Sequence, residues 1–488
     1  MTPPRSSRAG LAGLVTALLG LLVASSPTRA QELIDIFPGT NDDSATPSDF
    51  IELDGQALFK ASDATAGREL WKSDGTAAGT VLVKDILPGI DSSGPQQFER
   101  FNGEVYFSAD DGTHGAELWK TDGTAAGTLL IKDIFPGSNG SRPGVLTAFD
   151  DVLLFRANDG TTGDELWRSD GTTAGTVLVK DIRPGISRSR PFELTVLDDL
   201  ALFVADDGTN GEELWRTDGT TAGTVLVKDI FPGNDDSCPS DLTLIDDTVY
   251  FIADDGTHGE ELWKTDGTSA GTVLVADIFP GSDDSCPSRL ASFADTLYFG
   301  ANDGTHGEEL WKSDGTAAGT TLVVDINPGS DGSSFSHSAT FDGLLFFSAE
   351  DGTHGRELWK TNGTAAGTVM VADIVPGAEE SLPSDFFEVG GTLVFTADGP
   401  EGNELWMTDG TAAGTALVAD LYPGIEGSFP SDLTIIGDSL FLAAEDGTHG
   451  DELWIFTPET PIPTMSEWAL MLLAASLALL GYRTLARA

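Results

Sequence analysis

The sequence predicts an all-β fold, a β-propeller of four-stranded blades, nine of them closed into one ring by an N-terminal strand. Three observations predict it. Nine tryptophans, at 71, 119, 167, 215, 263, 311, 359, 406 and 454, recur every 48 residues, with a single interval of 47 between Trp359 and Trp406. Each interval holds four short runs rich in β-branched and aromatic residues, separated by Asp, Gly, Thr and Pro, which is strand-and-turn chemistry. No stretch of the array carries the 3.6-residue apolar period of an amphipathic helix. A period of about 40–50 residues with four strands belongs to propeller blades. An open superhelical array of the same repeats is the alternative.

A representative unit places strand A at Leu242-Thr243-Leu244 and, after the acidic turn Asp246-Asp247, strand B at Val249–Ala253. The loop Asp254-Asp255-Gly256-Thr257-His258-Gly259 leads to strand C, which contains Glu261-Leu262-Trp263-Lys264. A turn of the form Asp-Gly-Thr-x-Ala-Gly-Thr then leads to strand D at Val273–Ile278. Pro280-Gly281 suits a type II turn, with Pro fixing φ and Gly accepting a positive φ, and launches the loop to the next blade. Trp263 is the apolar wedge between neighbouring sheets.

The ring's closure is written at its ends. Nine Asp-Ile/Leu-x-Pro-Gly segments occur, beginning at Asp35, and the first has no strands A to C before it. The last unit has Glu452-Leu453-Trp454 but runs into Thr457-Pro458 instead of the usual turn to a fourth strand. An open array would leave bare strand edges, which invite aggregation, and would carry polar caps. The sequence therefore predicts that residues 33–37 pair antiparallel with residues 452–456.

Composition bounds the partners. Lys and Arg total 26 against 78 Asp and Glu, a net charge of −52; such a polyanion repels phosphate backbones, so nucleic acid is excluded as a partner. Two cysteines, Cys238 and Cys286, cannot form a disulfide framework. They sit in equivalent Asp-Asp-Ser-Cys-Pro-Ser segments of adjacent units. A bridge between them forms only if the two loops lean together, because packed sheets lie about 10 Å apart.

Both ends read as addresses, so the chain divides into 1–30, the array at 31–457, and 458–488. Arg5 and Arg8 precede an apolar run and then Thr28-Arg29-Ala30 before Gln31, the layout of a secretory signal peptide cleaved between Ala30 and Gln31. The other end reads Pro461-Ile462-Pro463-Thr464-Met465-Ser466-Glu467-Trp468, then an apolar stretch, then Arg483 and Arg487. It resembles the IPTL-type C-terminal sorting domain of Gram-negative bacteria, carried on Ile462, Pro463, Thr464, Glu467 and Trp468. Met465 stands where that family usually has Leu, and Ala469 where it usually has Gly. The resemblance implies an exosortase-like partner enzyme and a place in the envelope, on the cell surface or in the medium. The apolar stretch is shorter than the roughly 20 residues of a stable span, so membrane contact is expected only through the terminal segments.

The repeat units resemble the ELWxxDGT repeat family: Glu-Leu-Trp precedes Asp-Gly-Thr in eight units, with only Asn362 in place of Asp. That resemblance implies surface or secreted repeat proteins without an assigned chemistry.

Candidate sites are weighed against repetition. Glu two places before each Trp, from Glu69 to Glu452, occurs in all nine units. Pairing of strands C and D would set Glu69 against Lys84. Yet the lysine becomes Ala276, Val324, Ala372 and Ala419 later while the Glu persists, which points to a hydrogen bond to a neighbouring turn. Five histidines (His114, His258, His306, His354 and His449) share one loop position, occupied elsewhere by Ala66, Thr162, Asn210 and Glu401. They read as exposed loop residues rather than converging metal ligands. Paired acids such as Asp110-Asp111, Asp254-Asp255, Asp42-Asp43 and Asp283-Asp284 gather on one face. Ca²⁺ is the one cofactor they admit, though no EF-hand spacing is present and turn capping is the preferred reading.

Catalysis requires unlike groups around a reacting atom and so breaks repeat symmetry. The polar residues that break it are few, and they include His337, Glu99, Arg100 and the island Arg183, Arg188 and Arg190. The arginines suit an acidic glycan or carboxylate, with a solvated loop as the plainer reading. No Ser-His-Asp order or phosphate loop is present, and no catalytic residue is nominated. The sequence therefore leads to a surface-delivered, non-enzymatic binding, adhesion or scaffold propeller, with glycan or a surface protein as partner. An extracellular polysaccharide hydrolase or lyase with a site at the channel mouth is the alternative.

Overall fold

The structure is a computed structural model and describes residues 30–38 and 44–457. Its main compact unit, Leu33–Ile455, holds the blades. The second unit comprises residues 1–32 and 456–488; of it only the ends of two strands, at residues 30–32 and 456–457, are described.

Nine four-stranded sheets are present among the described residues. Blade 5 is typical: A is Ser240–Ile245, B is Thr248–Asp254, C is Glu260–Thr265 and D is Val273–Ala276. Strand B is buried at almost every position (Val249, Tyr250, Phe251, Ile252 and Ala253), because both faces meet neighbouring blades. The A strands are innermost. Each lies against the A strands of both neighbours, and Ser48–Leu53 lies against Ser431–Ile436, so the ring is closed. The nine-bladed propeller expected from the 48-residue period is what forms.

The ninth sheet runs Ala30–Ile34, Glu452–Thr457, Ser439–Ala444, Ser431–Ile436 in lateral order. The N-terminal segment thus supplies the missing outer strand, as predicted, but three residues earlier than expected. The strand ends at Ile34, as the other D strands end just before their Asp (Val81–Lys84 before Asp85). Residues 35–37 have already left the sheet, and there Ile36 N and Phe37 N donate to the Glu452 carboxylate at 2.7 and 3.3 Å.

From Trp71 to Trp406 each repeat Trp packs into the preceding blade. Trp263 joins Leu202, Val204, Leu214 and Val227 in one buried cluster. Lysines of the early blades cover this seam from outside. Lys84 pairs in register with Leu70, not with Glu69. Its Nζ instead crosses to the next blade, donating to Thr128 O at 2.7 Å and lying 5.6 Å from the Trp119 ring centroid. Lys132, Lys180 and Lys228 repeat both contacts. Where Ala276, Val324 and Ala372 replace the lysine, Trp311, Trp359 and Trp406 are only half-buried, whereas Trp454, beyond Ala419, stays buried.

Candidate functional site at the channel mouth

The invariant Glu is structural. Glu261 is fully buried. Its Oε2 accepts from Ile278 N at 3.0 Å and Ser285 Oγ at 2.6 Å, and its Oε1 accepts from Phe279 N at 3.1 Å. The acid therefore ties strand C to the start of its own blade's D–A loop. Burial pushes Glu165, Glu213, Glu261, Glu309 and Glu452 up to about 7, although the surrounding donors favour the ionised form. The neutral acid also fits most of these cradles. Its hydroxyl can donate to Ser285 Oγ, whose own hydrogen then turns to Glu260 O at 3.2 Å.

The loop histidines are likewise local. Asp255 Oδ1 accepts from Thr257 N and His258 N, while Oδ2 meets His258 Nδ1 at 2.9 Å. His114, His306, His354 and His449 repeat the arrangement at 2.8 Å. Each carboxylate is thus engaged by its own turn, and no group of three or more His, Cys, Asp or Glu suited to a metal occurs among the described residues. Asp42-Asp43 lies outside the described residues.

Symmetry breaks on the innermost strands. The second residue of each A strand is Asp49, Gln97, Val145, Glu193, Asp241, Arg289, His337, Asp385 or Asp432, and every one has a positive φ, between 42° and 61°. A bulge explains it. In blade 5 the register moves from Ser240↔Ile252 to Thr243↔Tyr250, so strand A carries one extra residue. The bulged residue meets the next blade: Asp432 Oδ1 accepts from Asp49 N at 3.1 Å, and Gln97 Oε1 from Val145 N at 2.8 Å. Three of the residues singled out in the sequence fall on these strands. Glu99 Oε1 accepts from Ala148 N at 3.1 Å, and Arg100 pairs with Glu52 of the preceding blade. His337 is held below its ordinary value by burial and by Arg289, with Asp385 opposing. A cavity of about 360 Å³ opens along blades 1 to 3 between Asp49, Phe50, Gln97, Phe98, Val145 and Leu146. The ring itself was missed in the sequence, because strand A is its least repetitive run. Nine unlike residues at one fixed offset were the available signal.

The arginine island gathers at the junction of blades 3 and 4. Arg183 pairs with Asp206, and Arg188 Nη1 lies 3.3 Å from Asp164 Oδ2. Arg183, Ser187, Arg188, Arg190, Asp206 and Glu212 line a second cavity, of about 300 Å³. Cys238 and Cys286 are exposed free thiols rather than a bridge. Burial and neighbouring acids, among them Asp236 and Glu212 beside Cys238, push both thiols up. Of the processing residues, Ala30 begins the outer strand of blade 9 and Gln31 follows it, exposed. Ile462, Pro463, Thr464, Glu467 and Trp468 lie outside the described residues.

Comparison with known proteins adds the tail. Residues 460–487 match the IPTL-CTERM motif, a C-terminal sorting signal of surface-exported bacterial proteins that a sorting enzyme reads. No curated protein is similar enough to the chain to count as a match. Among solved structures, a puromycin hydrolase is 15% identical, with 72% of this chain and 58% of that one covered at a TM-score of 0.36. A prolyl endopeptidase is 11% identical, with coverage of 72% and 54% at 0.40. A puromycin-hydrolyzing peptidase of Mycobacterium tuberculosis is 10% identical, with coverage of 76% and 60% at 0.37. The chain spans little more than half the length of these structures. They are hydrolases and peptidases, not adhesins, scaffolds or polysaccharide-degrading enzymes. The expectation of a non-enzymatic binding, adhesion or scaffold protein is corrected on that finding, and so is its polysaccharide-hydrolase or lyase alternative. At these TM-scores the structures assign no chemistry of their own to this chain.

Proposed function

We propose that this chain is an exported propeller of a Gram-negative bacterium, released from a signal peptide at Ala30–Gln31 and delivered to the cell envelope by an exosortase-like enzyme acting on its tail. The match of residues 460–487 to the sorting motif carries the reading. The blade architecture is compatible with it. Cleavage after Ala30 leaves Gln31–Ile34 as the outer strand of blade 9, four residues long like Val81–Lys84 and its equivalents. The repeat units keep their resemblance to the ELWxxDGT family as part of the proposal, with the domain boundaries 1–30, 31–457 and 458–488. In this reading the channel mouth, where the blades stop being alike, is the functional end of the molecule. The test is fractionation of cells making the full chain or a variant lacking residues 460–487. The full chain should collect in the envelope or on the surface, and the shortened chain should lose that location. Identical distribution of the two overturns the proposal.

A further inference from the structure

We infer that the cavity at the junction of blades 3 and 4 is a binding site for a carboxylate-bearing sugar, held through Arg188 and Arg190.

The argument begins with comparison of equivalent positions. Arg188 stands where the other eight D–A loops have Ser44, Ser92, Gly140, Asp236, Asp284, Gly332, Glu380 and Gly427. Ser187 stands where seven of them carry an acid, such as Asp235 or Glu379. Arg183 replaces an apolar residue, Phe135 or Phe231 in the flanking loops, that packs over the glycine of the next B–C loop. A Cβ built at Gly256 would meet the Phe231 ring at 2.5 Å, and one at Gly208 would meet Arg183 Nε at 3.0 Å. This loop has therefore exchanged its usual acid for basic groups while keeping its fold; of the other D–A loops only the one ahead of blade 3, with Arg142, carries an arginine. Ser189 Oγ still donates to the buried Glu165 at 2.6 Å, as Ser285 does to Glu261.

The three guanidinium groups are not equivalent. Arg183 is half-buried, spread over Gly208 and paired with Asp206. Arg188 is exposed and only loosely paired, at 3.3 Å from Asp164. Arg190 is exposed, forms no ion pair among the described residues, and sits in the left-handed region at φ 49°. It shares that backbone with the residues at its position in the other loops, Arg142, Cys238 and Phe429 among them, of which only Gly94 is a glycine. Two guanidinium groups two residues apart at the lip of a cavity present planar donor forks suited to a carboxylate.

The same cavity carries acceptors. Asp206 and Glu212 line it, both half-buried. Burial and the neighbouring Asp236 and Asp206 raise Glu212, with Arg190 opposing. An oxyanion flanked by hydroxyl groups satisfies both halves, with its carboxylate on the arginines and its hydroxyls donating to Glu212 and Asp206. A bare inorganic anion would leave the acids facing it. The net charge of −52 does not forbid this, because at physiological salt charges are screened beyond about 8 Å and the local island decides.

The test is calorimetric titration of the mature full-length protein with D-glucuronate, D-glucose and inorganic phosphate. D-glucuronate should bind at least about tenfold more tightly than either of the others, and more weakly as NaCl is raised. The variant Arg188→Ser/Arg190→Gly copies the residues of the loop ahead of blade 2, Ser92 and Gly94, so its backbone is one the chain already folds. It should lose D-glucuronate binding by about tenfold or more with an unchanged melting temperature. Arg356→Asn, in blade 7, should bind as the parent does. Equal binding of D-glucose, binding of phosphate alone, no binding of D-glucuronate, or retained binding in the double variant would each overturn the inference.

Discussion

Glu261→Gln isolates the interaction that every blade repeats. The carboxylate receives three donors, Ile278 N, Phe279 N and Ser285 Oγ, at a site closed to solvent. A glutamine must put its amide nitrogen in place of one oxygen. At Oε1 it faces Phe279 N–H; at Oε2 it faces Ile278 N–H, while Ser285 can turn to accept. One buried backbone N–H is stranded either way, which costs about 1–3 kcal/mol. Glu261→Ala strands both backbone N–H groups, while Ser285 Oγ keeps Glu260 O as an acceptor, and should cost roughly 3–5 kcal/mol. Urea denaturation measures both as a lower midpoint at constant slope. Glu260→Gln, exposed and adjacent, is the control. A Glu261→Gln shift no larger than the control's would refute the cradle.

The remaining predictions concern pH, seams, ions and thiols. Because burial lifts Glu165, Glu213, Glu261, Glu309 and Glu452 to about 7, above an unfolded value near 4.3, and raises Glu69, Glu117, Glu357 and Glu404 as well, protonation favours the folded state. That stability is fully present below about pH 4.3 and is lost as pH rises through 7. Melting temperature in 0.5 M NaCl, which screens the surface charge, should therefore fall between pH 5.5 and 8; a rise contradicts the burial argument. Lys84→Ala should cost about 1 kcal/mol and expose Trp119 to fluorescence quenchers, whereas Ala276→Lys should shield Trp311 and stabilise by a similar amount. Millimolar Ca²⁺ or EDTA should leave the melting midpoint unchanged if the loop aspartates only cap their turns, since a ligand of the native state must raise it. Cys238 and Cys286 should both label with a thiol reagent in the native protein, and faster as pH rises above 9; absence of label would mean a bridge.

Much of the fold was legible because the blade is constrained in the same way nine times. The tryptophan period counted the blades, and the missing Asp-Gly-Thr turn after Trp454 located the seam. The persistence of Glu after its lysine vanished gave the acid's role, since only the backbone N–H groups of the loop are common to all nine units. The closing strand was placed too late because Asp35-Ile36-Phe37-Pro38-Gly39 is the conspicuous motif, while the pairing residues before it are ordinary. Lys84 was set against Glu69 because a bulge in strand D, between Leu70↔Lys84 and Trp71↔Leu82, shifts the register by one. The ring of bulged residues from Asp49 to Asp432 was hidden for the opposite reason. Strand A is innermost, and the contacts its side chains make with the neighbouring blades differ from one blade to the next, so repetition fades there. The arginines were visible as an island, but a linear sequence does not show Glu212 and Asp206 folding up beside them.

The most direct test of the account is the intact mass and N-terminal sequence of the protein recovered from the envelope. The account predicts a chain beginning at Gln31, which is freed of the leader yet keeps the strand that completes blade 9. A chain still beginning at Met1 in the cytoplasm, or a folded surface form beginning beyond Ile36, would contradict it.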